Sequence, residues 1–301
     1  MKHKFLTITA LFSLLLASCS DPETPDQTID ETTSDVDISA VVSSVYNLNN
    51  GVTVSVGSDV IVVTGTGLPD HKTPYWDIEN KVHEMYEPFP SFYITNDIYT
   101  SDDDMESTIL EGLKSTDSNG NSIITYENNM NSEMTVVDYR MEIPTTPVEA
   151  TNKEETDLGI IGLALNGVPI YNNYEGRSVL GIVAMATFDA AGAHPGPGSD
   201  YHYHAAAQLG FDSTNDGSLY PTINDSNLIG FLRDGFPVYG RQDADGSYPD
   251  LDENGGHTGV TADFSEGIYH YHCSNENYLD SGWYVIKSGA YHGTPGTASG
   301  S

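Results

Sequence analysis

The chain writes one passage twice. Ile161–Tyr171 reads IGLALNGVPIY, and Ile229–Tyr239 reads IGFLRDGFPVY, 68 residues later. Tyr201–His204 and Tyr269–His272 both spell Tyr-His-Tyr-His at the same offset of 68. Between hairpin and tetrapeptide each copy carries Asp-x-x-Gly-x-His, as Asp189 to His194 and Asp252 to His257. The first element of each copy is an apolar run, an Asn-Gly or Asp-Gly pair and a second apolar run, the strongest short signal for a β-hairpin. Three matching elements in one order define a duplicated unit, with halves at about 158–205 and 226–273. Two copies are too few for an open solenoid, which needs three or more. The halves are therefore expected to pack about a pseudo-two-fold axis.

Outside the repeat the periodicity also favours strands. Gly57–Thr66, Ser122–Tyr126, Met134–Glu142 and Gly282–Lys287 are short β-branched or aromatic runs bounded by turn-forming residues. Asp102–Leu113 is the best helical candidate, with acids in its first turn where the helix dipole favours them. The expected fold is mostly β, a sandwich- or barrel-like single domain over residues 40–301 with long loops and few short helices.

The amino-terminal region reads differently. After Lys2, His3 and Lys4, the 13 apolar residues Phe5–Ala17 are too few to span a bilayer, which takes about 20. They suit the core of a secretory signal. Leu16-Ala17-Ser18-Cys19 resembles a bacterial lipoprotein cleavage box, so residues 1–18 are expected to be removed and Cys19 acylated as a membrane anchor. Residues 19–39 are acidic and rich in Ser, Thr and Pro, and are expected to form a flexible tether. The expected location is the bacterial cell envelope, facing the periplasm or the cell surface.

Charge narrows the partners. The formal net charge is −33, and loss of Lys2 and Lys4 with the signal takes it to −35. Such a surface repels nucleic acid and concentrates cations. The familiar Gly-x-Ser-x-Gly, His-Glu-x-x-His and phosphate-binding glycine motifs are absent, which gives no support to nucleotide binding or common hydrolase chemistry. Beyond Cys19 the chain holds one cysteine, Cys273, so an exported domain would lack an internal disulfide. Strand alternation turns Cys273 away from His272, as a buried small residue rather than a nucleophile.

Seven of the ten histidines fall between residues 194 and 292. In an extended Tyr-His-Tyr-His, both imidazoles leave one face and both tyrosines the other. His202, His204, His270 and His272 are therefore candidate metal ligands, and if the two strands faced each other across the axis all four would share one ion. His194 and His257 would come from the adjoining loops. Asp189 and Asp252 could orient ligand imidazoles, with Tyr201 and Tyr269 close behind. An all-nitrogen set suits zinc or copper first, with iron and nickel open. The alternative is a half-buried strand whose histidines serve structure alone. Asp250, Asp252 and Asn254 also match the first positions of a calcium loop, but Thr261 stands where a bidentate Glu belongs.

These stretches resemble the YHYH domain family. The matching segments are Gly67–His71, Asn166–Tyr171, Tyr201–His204, Asp234–Gly240, Asp250–His257, Tyr269–His272 and Tyr291–Pro295. The resemblance implies exported bacterial proteins of uncharacterised function, and adds His71 as a site candidate. Relatives in that family carry cysteines near the last two repeat motifs, where this chain has Glu253 and Cys273.

The sequence thus leaves three readings. One is a lipid-anchored domain binding a transition metal, for structure or metal handling. Another is a metal-dependent enzyme, hydrolytic or copper-redox, with an open coordination position. The third is a surface module for carbohydrate or protein with structural histidines. On the first point of anchoring, Cys19→Ser should move the exported protein from the detergent phase to the aqueous phase in a Triton X-114 partition.

Overall fold

The structure, a computed structural model, describes residues 35–86, 92–93, 114–116, 122–124, 133–175, 178–185, 187–206, 225–279, 283–287 and 289–300. The signal segment, Cys19, most of the tether and the Asp102–Leu113 helix candidate lie outside them. Ser39–Val45 is helical, and Ile38 before it is fully buried in the core.

The duplicated halves build one eight-stranded sheet. Its order is Ala193–Pro195, Tyr201–Tyr203, Pro169–Ile170, Gly162–Ala164, Leu228–Leu232, Pro237–Tyr239, Ile268–His272 and Gly256–Gly259. Four strands come from the first half, and four from the second in mirrored order. At the seam Gly162–Ala164 runs antiparallel to Leu228–Leu232, and Leu163 pairs with Phe231, its own counterpart 68 residues on. The pseudo-two-fold axis therefore passes through that residue pair.

Sterics fix the seam. A Cβ on Gly230 would sit 2.1 Å from the Leu163 carbonyl oxygen, and one on Gly162 would sit 2.5 Å from that of Phe231. Glycine is needed there because two backbones meet closer than a side chain allows. Both expected hairpins form. Gly167 and Gly235 close them at φ 84° and 88°, which L-residues with a Cβ rarely adopt. Asn166 Oδ1 and Asp234 Oδ1 each accept the N–H two residues on, at 3.3 Å.

A four-stranded antiparallel sheet covers the turns, ordered Thr53–Val56, Val60–Gly65, Tyr139–Pro144 and Ala298–Gly300. Along Val60–Gly65 and Tyr139–Pro144 alternate residues are buried, so Ile61, Val63, Met141 and Ile143 form its inner face. They share one apolar cluster with Leu163, Val168, Phe231 and Val238 of the large sheet. Fully burying each of these large side chains is worth about 1.5–3 kcal/mol. Both sheets are open in order, so the architecture is mostly β and sandwich-like, and no barrel closes among the described strands.

Strand boundaries moved where hydrogen bonding overrode composition. The Met134–Glu142 run becomes a strand from Tyr139 onward, because the N–H groups of Met134 and Val137 are already bonded to Tyr75 and Thr66. Of Gly282–Lys287, Tyr284–Val285 pairs, with Ala205–Ala206. The seam gives a direct test. Gly230→Ala should lower unfolding stability by about 3 kcal/mol, read from the denaturant midpoint, as expected for atoms forced into a packed core.

Candidate metal centres

Both tetrapeptides are extended strands buried on both faces. Tyr201–Tyr203 lies beside Ala193–Pro195, which sets His194 directly opposite His202. Ile268–His272 lies beside Gly256–Gly259 in the same way, which sets His257 opposite His270. Each Asp-x-x-Gly-x-His segment makes the turn into its strand. Gly192 and Gly255 take φ 76° and 84°, and their carbonyls accept the N–H groups of His204 and His272 at 3.0 Å.

The shared-ion arrangement is not what forms. In the sheet order the two motif strands stand five strand spacings apart, about 24 Å at about 4.8 Å each. Two separate groups result: Glu175 with His194, His202 and His204, and Asp243 with His257, His270 and His272. Within each group the potential ligand atoms all lie within 4.8 Å of one another. Either group could hold a metal ion, and neither is all-nitrogen. The antiparallel seam is the physical reason, since it places each motif toward an outer part of the sheet.

The carboxylates were missed in the sequence, although the signal was there. Continuing the offset of 68 past Tyr171 and Tyr239 aligns Glu175 with Asp243. Glu175 sits on a short hairpin, Tyr174–Glu175 against Ser178–Val179, and Asp243 begins a turn closed by Gly246.

Hydrogen bonding fixes how the rings present themselves. Nδ1 of His202, His204, His270 and His272 lies 2.8, 2.6, 3.0 and 2.7 Å from the carbonyls of Asp200, Asn172, Ile268 and Gly240. A carbonyl can only accept, so each Nδ1 carries the hydrogen, and in the neutral ring Nε2 is a bare lone pair. His194 follows by a relay. The Thr187 hydroxyl donates to the Ala184 carbonyl at 2.7 Å, so it accepts from His194 Nδ1.

Several of these Nε2 atoms, joined by that of His257, converge on carboxylate oxygen. His194 and His204 Nε2 are 3.4 and 3.3 Å from Glu175 Oε2. His257, His270 and His272 Nε2 are 3.2, 3.4 and 3.5 Å from Asp243 Oδ1, and His257 and His272 Nε2 are 3.2 Å apart. Metal–nitrogen bonds of about 2.0–2.1 Å in a tetrahedron put ligand atoms about 3.3–3.4 Å from each other. The observed spacings straddle that edge length. His202 Nε2 is buried with no hydrogen-bond partner, which is costly unless a cation or proton meets it.

A proton is disfavoured. Burial pushes the imidazoles of His194, His202 and His270 below the ordinary range, and takes His272 to about 4. Three imidazoles and one carboxylate form a donor set for a borderline divalent ion.

Several expected site residues do other work. His71 lies on the tyrosine face, with Nε2 2.8 Å from the Tyr203 hydroxyl, and belongs to neither group. Asp189 and Asp252 hold tyrosines rather than imidazoles. Asp189 accepts from Tyr201 and from the Ala191 N–H, while Asp252 accepts from Tyr269 at 3.1 Å and from the Asn254 and Gly256 N–H groups. The Asp252 carboxylate is thereby engaged by its own turn and by Tyr269. Cys273 is buried in the apolar core, as expected.

The second tyrosine of each motif meets the hairpin turn. Asn166 Nδ2 donates to the Tyr203 hydroxyl at 3.0 Å, and the Tyr271 hydroxyl donates to Asp234 Oδ2 at 2.6 Å. Tyrosines thus tie each ligand strand to its own hairpin from the face opposite the ligands.

Residues 140–247 match the sequence model of a family described as YHYH protein. The match contains Glu175, His194, His202, His204 and Asp243, and ends before His257, His270 and His272. No curated protein and no solved structure matches the chain.

Tyr271→Phe tests the tyrosine face. It removes a donor to buried Asp234 and the acceptor of the His292 N–H at 2.6 Å. Stability in urea should fall by about 1–3 kcal/mol, the range for stranding a buried polar group.

Proposed function

We propose that the chain is an exported, lipid-anchored protein that binds two transition-metal ions, one in each repeat. The observation that carries this reading is the convergence of imidazole Nε2 atoms, bare on His194, His204, His270 and His272, on one carboxylate oxygen at 3.2–3.5 Å, made twice in equivalent places. Without a cation, those lone pairs would face carboxylate oxygen in a buried setting, which is repulsive. With a divalent ion, each group becomes a four-donor site carrying a formal charge of about +1.

Zinc and copper suit three imidazoles and a carboxylate best, and iron or nickel fit the same donors. The ion would join the hairpin turn region, through Glu175 or Asp243, to the motif strands. It would thereby supply cross-linking that an exported domain without an internal disulfide lacks. The acidic surface, with 44 Asp and Glu against 11 Lys and Arg, raises cation concentration around both sites.

Metal repletion followed by plasma mass spectrometry is the test. Two equivalents per chain are expected. His202→Ala with His204→Ala should leave one, His270→Ala with His272→Ala should leave one, and all four together should leave none. A wild-type protein that carries no metal ends the proposal, and loss of all metal from either double variant restores the shared-ion arrangement.

A further inference from the structure

The two groups share a plan but differ in cover. His194, His202 and His204 are 3, 1 and 0% exposed, whereas His257 keeps 23% of its side-chain surface in solvent beside Asp243 at 20%. Glu175 is itself 31% exposed and the His270 and His272 side chains are 1% exposed, so the difference lies at one imidazole, His257, and not at the carboxylate.

Aromatic packing explains it. In the first group Phe188 lies parallel to His204 with ring centres 5.5 Å apart, and meets His194 edge-on at 5.0 Å. Tyr171 stacks on His202 at 4.0 Å. In the second group the residue preceding the Asp-x-x-Gly-x-His motif is Leu251, partly exposed, where the first has Phe188. Tyr239, the counterpart of Tyr171, meets His270 edge-on at 5.4 Å and leaves its face unstacked. Gly259 adds to the opening, since a Cβ there would sit 3.2 Å from His257 Cε1.

Resting on the two-metal reading, we infer that the ions are not equivalent. The first group holds its ion permanently behind Phe188 and Tyr171. The second is the working site, where a small monodentate ligand, water or an anion such as azide, reaches the metal beside His257. A closed set of four protein ligands is the mark of a structural ion, and a reachable coordination position is what metal-based chemistry requires.

The full chain loaded with cobalt(II) tests this by visible absorption and by release to a chromogenic chelator. Azide should shift the bands of one ion of two. That response should persist in His202→Ala/His204→Ala and vanish in His270→Ala/His272→Ala. Chelator release should be biphasic, with rates separated by at least about tenfold, since the roofed ion must wait for local opening. Phe188→Leu, which copies the second repeat, should speed the slow phase and leave the fast one unchanged. Azide shifts at both ions or neither, or a single release rate, overturns the inference while leaving the two-metal reading intact. A chain that takes up no cobalt overturns both.

Discussion

The arrangement depends on four hydrogen bonds from imidazole Nδ1 to backbone carbonyl. Those of His202, His204, His270 and His272 choose the tautomer and clamp the ring plane before any ligand arrives. The acceptors of His202 and His270 lie two residues back on the chain. Those of His204 and His272 are Asn172 and Gly240, just past the hairpin. One bond in each pair is thus local, and the other ties the motif strand to the loop that delivers the carboxylate. Geometry at the site is inherited from backbone, which is the stiffest material a protein has.

The reverse face of the same strands performs a different task. Tyr201 and Tyr269 satisfy Asp189 and Asp252, while Tyr203 and Tyr271 meet Asn166 and Asp234 at the hairpin turns. Burial pushes the Asp189 and Asp234 carboxyls above their ordinary values, and the tyrosine hydroxyls and turn N–H groups counter that. A period of two therefore sorts polar chemistry by face: tyrosines hold the strand in place, and histidines remain available on the other side. Truncating either set would injure a different property.

Much of this was legible in the residues, because the hairpins and the tetrapeptides repeat at one offset of 68. Hairpins, alternation of faces and the grouping of His194 and His257 with their tetrapeptides follow from local pattern. The shared ion did not follow. Whether two strands face each other or lie apart in one sheet is decided by the antiparallel meeting of Gly162–Ala164 with Leu228–Leu232, a contact between segments 68 residues apart. Glu175 and Asp243 were readable from the alignment itself, yet they sit in unlike surroundings, and an acid in a strongly acidic chain carries little signal. At Asp252 the spacing does not reveal that a turn and a tyrosine engage the carboxylate oxygens.

The pairing of Leu163 with Phe231 has a consequence for how such a molecule can arise. An edge that meets its own equivalent is self-complementary, the geometry by which two identical subunits associate about a dyad. A half-length ancestor with this edge would already have possessed a partner: itself. Within one polypeptide each copy can change separately, so Phe188 and Leu251, or Glu175 and Asp243, can differ inside a frame that stays symmetric.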